Sequence, residues 1–230
     1  MTTDKFKSLT TWQLEHGSHE FPGPHGGTCI NEAALVVAGL AYREVTSVAD
    51  LPESFCPVVS QYALTLNDAL PEGELLNRLL PFAMRLSGSS NGRRTAGVRS
   101  AYLALQAATA FAPLAVQVVN PLAARALKNV ADEKAALVIL DALDQTGWSD
   151  DVRAAAGAAQ RALARTIHGK DPIFTADLAA ICARRAGAID DNVWPRAIEV
   201  LDRVLAIGKQ ADPIETGLIE QRAAELLAAS

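Results

Sequence analysis

The sequence predicts an all-α fold, in which a small N-terminal helical unit with a long leading loop packs on a larger helical bundle. Half of the 230 residues are apolar, yet aromatic residues make up only 5%, so alanine and leucine supply most of the core. Such residues favour closely packed helices, whereas strands favour β-branched and aromatic residues. Helix starts are also marked, because Asp171-Pro172 and Asp212-Pro213 each place a capping acid before a proline.

The N-terminal part contains three predicted helices. The first follows Thr28 as its N-cap and ends at Gly39, because apolar residues recur at helical spacing between them. The second begins at Pro57, whose missing N–H costs nothing in a first helical turn. The third covers residues 72–86, with a bend at Pro81.

Residues 88–92, GSSNG, are the predicted domain boundary, because glycine and serine supply flexibility and no core residues. They separate an acidic loop-plus-helices unit, residues 1–90, from an Ala/Leu-rich helical bundle, residues 91–230. Short connections within the bundle predict antiparallel neighbours. Its predicted helices cover residues 94–112, 113–129, 132–145, 150–168, 172–186, 195–208 and 213–228.

The charge is distributed unevenly along the chain. The net charge is −5, and residues 1–90 hold five basic and ten acidic side chains, whereas residues 91–230 hold sixteen of each. A net negative charge argues against a general polyanion binder, so nucleic acid is not the expected partner. The acidic N-terminal part predicts a basic protein partner, although an acidic surface also serves solubility. A homo-oligomer is compatible with this composition.

The sequence predicts a cytoplasmic protein with no membrane segment. An acid stands at Asp4 and no apolar signal region follows it, while the longest apolar stretches are short and interrupted by charge. The three cysteines, Cys29, Cys56 and Cys182, are widely spaced and form no CxxC motif. Such a set is typical of a reduced protein rather than a disulfide scaffold.

A cluster of chemically active residues lies within fourteen positions, in a chain with only four histidines and three cysteines. Three imidazoles and one thiolate would complete a tetrahedral Zn²⁺ shell, and Glu20 or Glu32 would orient a ligand or activate a water. The spacing H-x2-H-x5-H-x3-C contains neither HExxH nor a paired CxxC. The four candidate metal ligands are His16, His19, His25 and Cys29.

Two other interpretations of the cluster stay open. In the first, Cys29 is a nucleophile whose pKa is lowered by the helix N-terminus, with a nearby histidine as its base and Glu32 as a second catalytic candidate. In the other, Cys29 is a buried core residue, and the histidines are solvated or bond loop carbonyls. Glu32 then bonds either the free amides at the start of the helix or a neighbouring Arg.

Residues 25–90 carry a series of coupled motifs: a Gly-rich loop, C-x-x-E-A, AG, CPV, ND, LLPF and R-L-x-G. The positions that carry them are Cys29, Glu32, Ala33, Ala38, Gly39, Cys56, Pro57, Val58, Asn67, Asp68, Leu80, Pro81, Arg85, Leu86 and Gly88. On these residues the segment resembles a widespread uncharacterised bacterial and phage protein domain, and it departs from that pattern at Leu40, where the domain has an acidic residue.

The resemblance implies that one set of residues lies together in space: Cys29, Glu32, Cys56, Asn67 and Asp68. Cys56 would then join the candidate metal ligands. The leading functional hypothesis is a protein-interaction or adaptor module, of which a phage-borne inhibitor of a host system is one version. The alternative is a metal-dependent or thiol-dependent hydrolase or transferase centred on residues 16–32.

Overall fold

The computed structural model describes residues 13–19 and 27–208, and these residues are mostly helical. Their one sheet is a parallel pair of two-residue strands, β1 (Gln13–Leu14) and β2 (Gly27–Thr28), with Gln13 opposite Gly27. The all-α prediction is therefore confirmed. The helix predicted at residues 213–228 lies outside the described residues.

Four helices precede the predicted boundary. Cys29, rather than the predicted Thr28, is the N-cap of the first, and Gly39 follows its end with a φ of +76°. The single helix predicted over residues 72–86 is wrong, because Pro81 lies in a 3₁₀ turn that separates two short helices. The four helices are α1 (Ile30–Val37), α2 (Pro57–Asn67), α3 (Glu74–Asn77) and α4 (Ala83–Leu86).

Seven further helices follow in the described part of the chain. The helix break predicted between residues 112 and 113 is absent, because a π-helical turn (Ala107–Phe111) joins α5 to α6 without interruption. Pro113 has no N–H to donate, and in a regular α-helix its ring would clash with the carbonyl four residues earlier. That carbonyl belongs to the π turn, which is wider than an α-helical turn. The helices are α5 (Gly92–Gln106), α6 (Ala112–Val116), α7 (Pro121–Lys128), α8 (Glu133–Asp141), α9 (Asp150–Ile167), α10 (Pro172–Gly187) and α11 (Val193–Ala206).

Helix α10 is the centre of the bundle and packs against α2, α5, α9 and α11. Small side chains allow these close approaches, since α9 and α10 together bury Ala155, Ala156, Ala158, Ala159, Ala162, Ala176, Ala179, Ala180, Ala183 and Ala186. At the end of α10 the indole of Trp194 lies directly over Gly187, where a Cβ atom would come within 2.1 Å of Trp194 Cζ2. Among the described residues, no helix combines the length and the apolar character needed to cross a membrane.

The N-terminal helices are joined to the bundle by buried polar contacts and one shared hydrophobic core. Tyr62 on α2 donates a hydrogen bond to the carbonyl of Ala197 on α11 (3.1 Å). Thr65, also on α2, donates to the carboxylate of Asp177 on α10 (2.7 Å). A domain boundary near residue 90 stays a prediction, but the residues on its two sides pack together.

The GSSNG segment is anchored by Ser89 and Arg99. Ser89 Oγ accepts a hydrogen bond from the backbone N–H of Cys56 (2.9 Å), and its carbonyl accepts one from Arg99 (2.6 Å). Arg99 is fully buried and also donates to the carbonyl of Ile207 just beyond α11 (2.9 Å). The negative end of the α11 dipole favours this cation. Arg99 therefore joins the GSSNG segment to the end of α11.

Candidate functional site

Glu32 and Cys29 form a capping box at the start of α1. The backbone N–H of Cys29 donates to Glu32 Oε2 (2.8 Å), and the backbone N–H of Glu32 donates to Cys29 Sγ (3.4 Å). The reciprocal bonds satisfy two of the N–H groups that have no partner inside a helix. The interpretation in which Glu32 bonds the amides at the helix start is confirmed.

Glu32 also joins two other segments to α1, although its side chain is fully buried. Its Oε1 atom accepts hydrogen bonds from the backbone N–H groups of His19 (2.8 Å) and Val45 (3.1 Å). Its Oε2 atom accepts from the hydroxyl groups of Tyr42 (3.0 Å) and Thr28 (3.2 Å). One carboxylate thus holds together the leading segment (residues 13–19), helix α1 and the connector between α1 and α2.

The hydrogen bonds decide the charge state of Glu32. Burial alone raises the pKa of this carboxyl group, because it penalises the charged form. The backbone N–H groups of Cys29, His19 and Val45, together with the Tyr42 hydroxyl, outweigh that effect and hold the pKa below its ordinary value. Glu32 is therefore a buried carboxylate with its acceptor positions filled. This arrangement suits a structural anchor better than a proton carrier.

Cys29 lacks the environment of a nucleophile. Burial raises the pKa of its thiol well above the ordinary value, and the negative charge of Glu32 raises it further. The shift is opposite to the lowering that the helix N-terminus alone predicts, because burial and the charge of Glu32 outweigh the lowering by the backbone N–H groups of Glu32 and Asn31. The side chain is also wholly inaccessible to solvent.

The leading segment is held along its length by polar groups near the end of α2 and in α3. Asn67 accepts a bond from the backbone N–H of Ile30 (3.1 Å) and donates to the carbonyl of Glu15 (2.7 Å). Asp68 accepts from the backbone N–H of Gly17 (2.8 Å). Further bonds of 2.8 Å join His16 Nε2 to the carbonyl of Leu70, and the Leu14 N–H to Asn77 Oδ1. We call the residues that hold the leading segment, namely Glu32, Asn67, Asp68, Leu70 and Asn77, the polar bracket.

The candidate metal ligands lie in different surroundings. His19 stands between two carboxylates, with its Nε2 atom 3.4 Å from Glu15 and its Nδ1 atom 3.4 Å from Glu32. His16 lies 3.7 Å from Glu72. Cys56 is the N-cap of α2, about 16 Å along the helix from Asn67, at the end opposite the bracket.

Within residues 13–19 and 27–208, no three His, Cys, Asp or Glu side chains are grouped so as to hold a metal ion. His25 and Glu20 lie outside the described residues, so the five-residue metal set stays a prediction. Glu32, Asn67 and Asp68 belong to the polar bracket, and Cys29 bonds Glu32. Cys56, which the resemblance places with these four residues, lies instead at the opposite end of α2.

An open cleft lies beside the polar bracket, between β1 and the start of α3. Its volume is about 440 Å³, and three glutamates and a histidine stand at its walls. The side chain of Glu72 is 79% exposed and that of Glu15 is 52% exposed. We call it the acidic cleft; its described lining contains no Lys or Arg and consists of Gln13, Leu14, Glu15, His16, Glu72, Gly73, Glu74 and Asn77.

Glu15, Glu72 and Glu74 are not among the site residues predicted from the sequence. The available signal is the E-G-E triplet at residues 72–74, where Gly73 adopts a φ of +91° as the N-cap of α3 and sets an acid on each side of the turn. Glu15 lies near them because Asn77 on α3 accepts the backbone N–H of Leu14, a contact that periodicity in the sequence does not reveal.

No family model matches this sequence, and comparisons with curated proteins and with solved structures likewise found no match. The resemblance of residues 25–90 to a bacterial and phage domain therefore stays a prediction.

Proposed function

We propose that this chain is a cytoplasmic protein-interaction module whose acidic cleft binds lysine or arginine side chains of a partner protein. The observation that supports the proposal most directly is the lining of the cleft, with three glutamates and no described Lys or Arg. Free, buried cysteines support the cytoplasmic location. A phage-borne inhibitor of a host system is one form of such a module.

The chemistry of the cleft suits the charged end of a long lysine or arginine side chain. Carboxylates form charge-assisted hydrogen bonds with ammonium and guanidinium groups, and these bonds are stronger than neutral ones. A volume of about 440 Å³ accepts side chains rather than a folded element. The exposed glutamates also attract a basic partner at a distance, which raises its association rate.

The polar bracket keeps the walls of the cleft in place before a partner arrives. Glu15 and His16 lie on the leading segment, and Asn67 and the carbonyl of Leu70 hold that segment at the same two residues. On the other side, Asn77 bonds the backbone of Leu14. A pre-arranged site loses less conformational entropy on binding, so more of the interaction energy appears as affinity.

The test measures fluorescence anisotropy of a labelled peptide in which lysine and arginine alternate with glycine. We expect the peptide to bind the native protein, and the double variant Glu72→Gln, Glu74→Gln to bind it about tenfold more weakly, as two lost exposed ion pairs imply. Added salt should reduce the difference.

The matched control is Glu53→Gln with Asp150→Asn, which removes the same charge from exposed positions outside the cleft lining. Its affinity for the peptide should stay within about twofold of the native value. Equal weakening in both double variants would mean that the peptide responds to net charge alone. That result, or no binding to the native protein at low salt, would overturn the proposal.

A further inference from the structure

The carboxylates of the acidic cleft have no lysine or arginine partner among the described residues. Glu72 lies 3.7 Å from His16, and Glu15 lies 3.4 Å from His19. In the described residues 85–208, by contrast, every ion pair joins an arginine to an aspartate or a glutamate. The cleft therefore offers its carboxylates to a cation from outside the described residues.

Two lysines precede the cleft closely in the sequence. Residues 1–12 lie outside the described residues and lead directly to Gln13, which lines the cleft. They contain Lys5 and Lys7 and a single acid, Asp4, and no other lysine occurs before Lys128. The lysines nearest to the cleft along the chain thus carry the charge that its carboxylates attract.

The length of the chain before Gln13 allows these lysines to return to the cleft. Lys7 precedes Gln13 by six positions, and a backbone spans at most about 3.5 Å per residue. This reach is long enough for the Lys7 ammonium group to meet any wall of a cleft of about 440 Å³. A short tether also gives a tethered group an effective concentration in roughly the millimolar range, so weak ion pairs suffice to fill the cleft.

We propose that Lys5 and Lys7 occupy the acidic cleft of their own chain and compete there with the basic residues of a partner. This inference rests on the proposed function, since it takes the acidic cleft to be a site for cations, and it adds an internal competitor. A partner with a single basic residue then binds poorly, whereas one with several displaces the two lysines through its multivalency.

Fluorescence anisotropy of the labelled basic peptide tests the competition. We expect Lys5→Gln with Lys7→Gln to bind the peptide about fivefold more tightly than the native protein, because the internal competitor is removed. The matched control is Lys134→Gln with Lys170→Gln, which removes the same charge from exposed positions outside the cleft lining and should change the affinity by less than about twofold. An unchanged affinity in the first double variant, or equal tightening in both, would overturn the proposal.

Zero-length cross-linking tests the contact without any peptide and so separates this inference from the proposed function. A carbodiimide joins an amine to a carboxylate that it contacts, and mass spectrometry of the monomer band locates the new amide bond. We expect links from the two lysines to Glu72 or Glu74 to exceed those to Glu44, an exposed carboxylate that bonds the leading segment but lies outside the cleft lining. Links to Glu44 in equal or greater yield would overturn the proposal. Links to the cleft, with no peptide binding by the native protein or by the lysine variant, would support the internal contact and overturn the binding of a partner.

Discussion

The polar bracket and the α9–α10 pair fix their segments by different means. Around Glu32, a short leading segment and a connector are held by hydrogen bonds to one buried carboxylate. In the α9–α10 pair, long helices are held by many alanine contacts, none of which dominates. An irregular segment has no apolar stripe to bury, so its backbone groups need explicit polar partners. The stability of the bracket is therefore concentrated in very few atoms.

Replacement of Glu32 should produce the largest effect. Glu32→Ala leaves the buried N–H groups of Cys29 and Val45 and the half-buried N–H of His19 without their acceptor, and we expect the free energy of unfolding to fall by about 3–5 kcal/mol. Chemical denaturation measures this change. Glu53→Ala, at an exposed position, is the control and should alter stability by less than about 0.5 kcal/mol.

Hydrogen exchange distinguishes a local from a general effect of the same substitution. If the bracket is a separate anchor, the amides of His19 and Val45 should lose protection in Glu32→Ala before those of α10 do. Uniform loss of protection across α10 and the leading segment would show that the two regions unfold together. The polar bracket and α10 would then differ in geometry but not in stability.

The pH dependence of stability sharpens the comparison further. Because the pKa of Glu32 is lowered in the folded protein, its contribution is present above its ordinary value of about 4.5 and is lost as the pH falls through the folded-state pKa. We expect the stability difference between the native protein and Glu32→Gln to be large at neutral pH and to shrink below about pH 4.5. The titratable groups that face Glu32, namely His19, Tyr42 and Cys29, are present in both proteins. A difference that stays constant on acidification would contradict the charged anchor.

A substitution that adds a single Cβ atom tests how tightly the bundle is packed. Gly187→Ala places a Cβ atom about 2.1 Å from Trp194, and we expect it to lower the free energy of unfolding by about 1–3 kcal/mol through overpacking. Gly97→Ala is the matched control, because nothing lies within 4 Å of its Cβ position in α5. It should stabilise the protein by about 0.5–1 kcal/mol. Equal effects of the two would show that Trp194 moves aside.

Most of the helical architecture is predictable because periodicity and capping are local. The starts of α9 and α10, at Asp150 and Pro172, agree with the predicted starts, and Asp171 caps α10 as predicted. Pro113 misled the prediction, since a π turn absorbs it inside a continuous helical segment. The prediction of a single helix over residues 72–86 was wrong for the opposite reason, because Gly73 and Pro81 divide this segment into short helices.

The candidate site was predictable only in part. Local spacing places Glu32 one turn after Cys29, and their capping box follows from that spacing. The bonds to Tyr42 and Val45 depend on where an irregular connector folds back, which no periodicity encodes. The acidic cleft likewise depends on the pairing of β1 with β2 and on the approach of α3.

Replacement of Cys29 should have the smallest effect on stability, and it distinguishes a helix-capping residue from a reactive thiol. Cys29→Ala removes the acceptor for the Glu32 N–H, so we expect a loss of about 1 kcal/mol in stability. Affinity for the basic peptide should be unchanged, because Cys29 does not line the acidic cleft. Since Cys29, Cys56 and Cys182 are all buried, iodoacetamide should modify each of them slowly in the folded protein. A Cys29 that reacts much faster than the other two would instead support thiol chemistry, because only an accessible thiolate attacks the reagent.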